Sequence, residues 1–390
     1  MINTKDFKTK TYLKKGNNIG SNKAWVIAMD VGYSAVKIMS KTDICSFPSF
    51  AIRRKDNTAS IGDAAPTDIQ YKGEDGVIWD VGEIAVGKIS QSDSSNSEEM
   101  LYSRNRYTNP MFLVISRVGI ALGLQGYMGE NGGGKKKIVL QTGLPPAYVK
   151  ADSKPLKNIL KGKHEFYLKI GKETWKKYCF ELEEENIWIM QQPLGSLLGA
   201  TLTDEGKQTP DGKDLMNKNV LIFDGGFGTL DTFEIINRTI GSTQTFDHLG
   251  MKAILHKAVN DIYNKYDEEI AVSAMQNILS TGKIKKYDSE TVSTKTIEIA
   301  DIVETCSYDI CMEAIKSIRT IYNNLIEYDY LLVTGGTGDA WFSTVKNYFS
   351  KMEGLNVIAA NRATTIPQIF SNVRGYYLYR VTALNSKKSA

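Results

Sequence analysis

Two aspartates, Asp30 and Asp224, each close an apolar run and open a turn of mostly small residues. The first stretch reads Asp30-Val31-Gly32-Tyr33-Ser34-Ala35-Val36-Lys37, the second Asp224-Gly225-Gly226-Phe227-Gly228-Thr229-Leu230-Asp231. Small residues in a tight turn let backbone N–H groups converge and form a nest for anionic oxygens. A carboxylate at the head of such a turn is a hard oxygen ligand suited to Mg²⁺, directly or through its waters. Lys37, on the strand leaving the first turn, can reach the same anion. Phosphate and a divalent cation are therefore the chemistry these residues can serve. Two such turns face to face would clamp a triphosphate, with Lys37 at its β and γ phosphates.

The two stretches align from Trp25–Ser40 and Asn219–Glu234 at a constant offset of 194 residues. Asp30 falls on Asp224, Gly32 on Gly226, Tyr33 on Phe227, Ser34 on Gly228 and Val36 on Leu230. Each copy reads as strand, tight turn, strand. A hairpin repeated so far along the chain implies two domains of related build, each giving one phosphate turn. The expected fold class is α/β.

Two other glycine-rich stretches fail as nucleotide motifs. Gly129–Lys135 approaches a P-loop, but Lys136 stands where Ser or Thr is needed and a strand follows instead of a helix. Gly336-Thr337-Gly338 begins like a dinucleotide fingerprint, yet Trp341 fills the last glycine position and no acid follows at the required distance.

The elements that must hold the turns can be read from periodicity. Strands are expected at Ala24–Met29, Ser34–Met39, Lys137–Thr142, Ile187–Met190, Asn219–Ile236 (broken by its turn), Tyr330–Thr334 and Asn356–Ala359. Helices are expected at Pro110–Leu124, from Leu194 to Ala200, at Met251–Ile278, Ile297–Ile326 and Ala340–Met352, and from Asn372. A basic helix and strand-like pieces share 147–186. Residues 1–22 read as a flexible basic arm and 49–109 as a small peripheral subdomain, its loop Gln91–Glu99 mobile. Gly126–Gly134 reads as a loop and Thr203–Lys218 as a polar hinge. The first domain is then 23–200 with 365–385, and the second 201–364.

Composition narrows the classes. A net charge of +4 is too mild to argue for direct nucleic-acid binding. No run reaches the roughly 20 apolar residues of a membrane span. Cys45, Cys179, Cys306 and Cys311 are scattered without a C-x-x-C pair, which speaks against a Cys/His metal site and fits reduced thiols in the cytoplasm.

In this order the motifs resemble those of actin, bacterial actin-like proteins, heat-shock chaperone ATPases and sugar kinases. Asp30–Lys37 resembles the first phosphate motif, Gln141–Pro146 the first connecting segment and Asp224–Asp231 the second phosphate motif. Leu331–Gly338 resembles the adenosine motif and Asn372–Tyr377 the second connecting segment. The chain is most similar to the ParM-type plasmid-segregation proteins. It departs from them at Gln192, where they often carry glutamate and actin carries glutamine, and at Tyr33 and Ala35.

The resemblance implies an actin-like ATPase fold, two related α/β domains flanking a nucleotide cleft, with ATP/ADP and Mg²⁺ bound there. Asp30 and Asp224 would organise the metal, and Gln192 would orient the attacking water. Backbone around Gly32–Ser34 and Gly225–Thr229 would hold phosphates. Gly335, Gly336 and Thr337 would lie along the ribose and α-phosphate, with adenine near Glu313 or Lys316. It further implies head-to-tail filaments, a small DNA-binding adaptor of the ParR type, plasmid DNA as an indirect partner and no membrane. Two alternatives stay open: a small-molecule kinase with Asp231 as base, and a scaffold that barely hydrolyses nucleotide.

Overall fold

The computed structural model describes residues 7–55, 63–91, 106–129 and 136–386. Two main sheets share one strand order. The first runs Tyr12–Lys15, Asp43–Pro48, Ala35–Met39, Ala24–Val31, Lys137–Leu144, Ile187–Gln191. The second runs Thr239–Phe246, Leu230–Ile236, Val220–Gly225, Tyr330–Thr334, Asn356–Ala359. In each, three successive strands form an antiparallel meander, and two later strands add in parallel beside its first strand. Parallel neighbours need long crossovers, which the helices Pro110–Gly123, Val149–Leu160 and Gly336–Tyr348 help supply. The duplication seen in the turns thus extends to whole sheets. The first sheet has one additional edge strand, Tyr12–Lys15.

Two helices join the halves. Gln192–Ala200 puts Leu197 and Ala200 against Val220, Ile222 and Leu332 of the second sheet. Ser371–Ser386 puts Val373, Tyr377 and Val381 against Val26, Ala28 and Met39 of the first. The helices cross backbone to backbone: a Cβ on Gly375 would lie 1.7 Å from the Gly195 carbonyl oxygen. Buried Arg374 donates to the carbonyls of Gly199 at 2.5 Å and Leu202 at 2.8 Å, and pairs with Asp204 at 2.7 Å. The carbonyls at a helix C-terminus lack helical donors, so the guanidinium fills that need.

A third sheet, ordered Lys176–Leu182, Gly162–Ile170, Ile69–Lys72, Ile78–Val81, Ala51–Arg53, forms the small peripheral unit. Expected over 49–109 alone, this sheet also recruits two strands from 162–182, because Ile69–Lys72 pairs with the far strand Gly162–Ile170. Of the expected loop Gln91–Glu99, 92–99 lie outside the described residues, as do 130–134 of the loop Gly126–Gly134; its start is a short helix, Gln125–Gly129.

Several expectations are corrected. The arm over 1–22 is not loose from residue 7 onward: Phe7 is buried, Tyr12–Lys15 pairs with Asp43–Pro48, and Tyr12 sits 5.4 Å from the Phe370 ring. These apolar anchors among the lysines decide its course; residues 1–6 lie outside the described set. The helix from Met251 stops at Tyr266, because Asp267 turns left-handed (φ 54°). Of Ile297–Ile326, the helix spans only Ala300–Ile321. Residues 297–298 belong to a hairpin, Lys283–Asp288 with Ser293–Glu298, whose polar, exposed strands give little periodic signal. Thr203–Lys218 contains a short helix, Gly212–Asn217, and is tied down through Asp204 and Asp211 to Arg374 and Arg362.

Gly375→Ala should lower the thermal midpoint by an amount equal to about 1–3 kcal/mol, the usual cost of forcing atoms into a packed interior. An unchanged midpoint in thermal denaturation would show that the helix crossing is not the tight joint described.

Candidate functional site

The two hairpins present their aspartates in the same way. Asp30 stands opposite Lys37 in the first, and Asp224 opposite Asp231 in the second. The turns close on the same bond, Gly32 N–H to the Ala35 carbonyl at 3.0 Å and Gly226 N–H to the Thr229 carbonyl at 2.9 Å. The copies differ in charge: where the first hairpin has a lysine, the second has a carboxylate.

Each aspartate is oriented from outside its own hairpin. Asp30 accepts from the Gln192 amide at 3.0 Å on one oxygen and pairs with Lys37 at 3.0 Å on the other. Asp224 accepts from the Asn372 amide at 2.8 Å. The Asn372 oxygen accepts from the Ser196 hydroxyl at 2.5 Å, and the Ser196 and Thr334 hydroxyls share a bond of 2.6 Å. Asp231 accepts from the hydroxyls of Thr229 at 3.0 Å and Thr245 at 2.6 Å. Burial pushes the Asp224 carboxyl up to about 6, with the Asn372 bond opposing and the Asp30 charge adding. Burial likewise pushes Asp231 up to about 7, against the pull of Thr245.

One cavity gathers Asp30, Gly32, Tyr33, Lys37, Gln192, Asp224, Gly226, Thr229, Gly335 and Gly336. Lys37, Gly336 and Ile369 also face a wider groove of about 920 Å³, whose walls include Ser34, Phe227 and Thr337. The cavity around the aspartates itself measures about 70 Å³, and the adjoining groove is of the size that takes a small-molecule ligand. Gly225 and Gly228 serve packing. Gly335 has a φ of 82° and a Cβ there would meet the Gly225 carbonyl oxygen at 2.3 Å, while the Tyr33 ring lies over Gly228. The Thr337 hydroxyl donates to the Gly226 carbonyl at 2.7 Å, pinning the second turn to the helix Gly336–Tyr348. The N-terminus of that helix faces the cavity, a favourable place for an anion.

Glu313 and Lys316 are not at this site. They are exposed in the middle of the helix Ala300–Ile321, with Glu313 3.9 Å from His248.

Other groups complete the cavity without having shown themselves in the sequence. Arg106 donates to the carbonyls of Val31 and of Gly32 (3.1 Å) and lies 4.7 Å from the Tyr33 ring centre. With Ser49, whose hydroxyl also holds the Gly32 carbonyl at 2.8 Å, it turns the carbonyls of the first turn away from an incoming anion. Tyr148 reaches across to Asp247 at 2.5 Å. Asn372 and Gln368 enter from the C-terminal segment. Arg106 and Tyr148 lie in stretches without a local motif; Asn372 opens a connecting segment whose spacing marks the segment and not the role.

The donor set fits Mg²⁺. Among the described residues no group of three or more His, Cys, Asp or Glu side chains could enclose a metal, and Mg²⁺ characteristically uses one or two carboxylates plus water and phosphate oxygens. Asp30 and Asp224 supply such a pair, each already held by an amide.

Both raised carboxyls bind protons more tightly folded than unfolded, from a starting value of 3.8. Their contribution to stability therefore falls as pH rises from about 4 to about 7. Asp231→Asn should remove much of that slope. In thermal denaturation without nucleotide, it should melt above the unaltered protein at pH 8, the gap should narrow by pH 5, and the two should converge near pH 4. A lower midpoint at pH 8 would contradict the protonation assigned here.

Residues 28–195 match the family described as the actin-like proteins N-terminal domain. Among solved structures, a non-polymerisable quadruple mutant of pCBH ParM superposes with a TM-score of 0.69 at 18% identity, over 92% of this chain and all (100%) of that one. A ParM from a 15-stranded filament of Clostridium botulinum gives 0.67 at 18% identity, covering 92% and 99%. Ta0583, an archaeal actin homolog, gives 0.61 at 14%, covering 91% and 99%. At such identities the superpositions speak for the fold. No curated protein matches the chain by sequence. With residues 28–195 matched to that family and its two sheets, turns and crossing helices in place, the chain has the actin-like fold.

Proposed function

We propose that the chain is a Mg-ATP-dependent ATPase that polymerises head to tail into dynamic filaments, in the manner of plasmid-segregating actin-like proteins. The observation that carries the reading is the facing pair of turns, with Asp30 held by both Gln192 and Lys37 and Asp224 held by Asn372.

The turn Gly32–Ser34 and the turn Gly226–Gly228 would hold phosphate oxygens through backbone amides, and Lys37 would neutralise charge as it develops. Gln192 donates its amide N–H to Asp30, so its carbonyl oxygen is the part that would accept from the attacking water and set its direction. Bound Mg²⁺, held by Asp30 and Asp224 or their waters, would supply charge neutralisation at the phosphates. Hydrolysis of this kind needs positioning and electrostatics and no covalent nucleophile.

A small-molecule kinase finds less support. Its candidate base, Asp231, is buried and each of its oxygens already accepts from a threonine hydroxyl, which ties it to its own sheet instead of presenting it to a substrate.

Filament growth follows from a cleft that nucleotide closes. The two halves already touch at its rim, with the Asn277 amide of the second half donating to the carbonyls of Val86 at 2.8 Å and Ile89 at 3.2 Å in the first. Nucleotide bound between the halves would favour the closed arrangement, and hydrolysis would release that bias, a population shift between two arrangements. The similar solved structures include a ParM filament, which supports self-association here. A ParR-type adaptor would link filament ends to plasmid DNA, and the cytoplasm is the expected location.

Light scattering after Mg-ATP addition should rise and then decay as phosphate appears; no rise at any concentration, despite tight binding, would remove the filament reading. Asp224→Ala should reduce phosphate release to background. Gln192→Ala should slow it by about 10²-fold, the scale of a misplaced reactant, while leaving nucleotide affinity intact. Equal loss of affinity would strip Gln192 of its water-positioning role.

A further inference from the structure

Gln368 opens the short turn Gln368–Phe370 that leads into the helix Ser371–Ser386. Buried Ile366 and Phe370 anchor the chain on either side, so its side chain has little choice of direction. That side chain is 1% exposed, yet neither its amide nitrogen nor its oxygen has a hydrogen-bond partner among the described residues. Native proteins rarely leave a buried amide unpaired at both ends, and where they do a ligand or a catalytic role is a common reason. Gln368 lines the same cavity as Asp224, Thr334, Gly335, Gly336 and Asn372.

We propose that Gln368 is a nucleotide-positioning residue, its amide pairing with an O–H group that belongs to, or is ordered by, the bound nucleotide. This rests on the nucleotide reading of the cleft. The partner must accept from the NH₂ group and donate to the carbonyl oxygen. Ionised phosphate oxygens only accept and so cannot satisfy the carbonyl oxygen, whereas a hydroxyl or a water serves both ends. A base edge could also do both. However, Asn372 lies one helical turn further on and is bonded to Asp224, which places Gln368 beside the carboxylates at the phosphate end. The two remaining sources are a ribose hydroxyl and a water ordered by the nucleotide.

Such a residue costs stability without ligand and returns it with ligand, which gives substitution an opposed pair of signs. Gln368→Leu fills the same space without an unpaired amide. It should raise the thermal midpoint of the nucleotide-free protein and weaken ADP binding about tenfold by titration calorimetry, the loss of one well-placed hydrogen-bond partner. Gln368→Met serves if the leucine variant does not fold. Titration with 2′-deoxy- and 3′-deoxy-ADP separates the sources. With a ribose hydroxyl as partner, one analogue binds the unaltered protein about tenfold more weakly and the variant no longer distinguishes it from ADP. With a water as partner, the variant loses the same factor for every analogue. Unchanged ADP affinity, or a midpoint that falls together with affinity, overturns the inference. If the unaltered protein binds no ADP at all, the nucleotide reading itself falls.

Discussion

The backbone contact between the helices Gln192–Ala200 and Ser371–Ser386 constrains everything else in this molecule, because each helix belongs to both halves at once. The first packs its apolar face on the second sheet, yet its leading residue, Gln192, bonds to Asp30 of the first. The second packs on the first sheet, yet Asn372 bonds to Asp224 of the second. Each carboxylate is therefore oriented by a helix seated on the opposite half. Gly195 and Gly375 allow the helices to touch without side chains between them, so rotation of one half moves the partner of the other half's aspartate. Cleft angle and site geometry are mechanically one quantity.

A duplicated scaffold carries an asymmetric site. Turn bonds, strand order and aspartate positions repeat between the halves. The charge opposite the aspartate does not, being Lys37 on one side and Asp231 on the other. Lys37 forms an ion pair with Asp30, whereas Asp231 adds a buried carboxyl near Asp224 whose proton affinity is raised. The second half is thus the side on which a cation gains most, since it would relieve both desolvation and like-charge repulsion. The nest on the first half is set by Arg106 and Ser49, which draw its carbonyls outward.

The rim of the cleft is closed by contacts that are local and polar. Thr9 N–H donates to Gln276 at 3.0 Å and Thr11 N–H to Glu83 at 3.0 Å, so the segment ahead of the strand Tyr12–Lys15 binds parts of both halves. Bonds of this sort exchange readily with water and contribute little net stability each. They suit a boundary that can open, in contrast to the tightly packed helix crossing at its base.

The sequence by itself determined the α/β class, the two aspartate-headed turns and their order, because tight turns and short buried strands are written locally in Gly, Asp and apolar runs. The offset between Asp30 and Asp224 also exposed the duplication, since repetition needs no knowledge of contacts. Gln192 was legible through the motif before its helix. What only the tertiary structure decided were relations between distant segments. Arg106, Asn372 and Gln368 reach the cavity because helices and sheets carry them there, and no spacing in their neighbourhoods records it. The N-terminal lysines read as a solvated arm, yet Phe7 is buried and Tyr12 meets Phe370, hundreds of residues away in sequence. The hairpin Lys283–Glu298 escaped notice because each strand buries a single apolar residue, Ile284 or Ile297, among polar ones, so its pairing left no hydrophobic period to read. Local chemistry is encoded in neighbours along the chain; the joint that couples Asp30 to Asp224 exists only once 3-D packing brings Gly195 against Gly375.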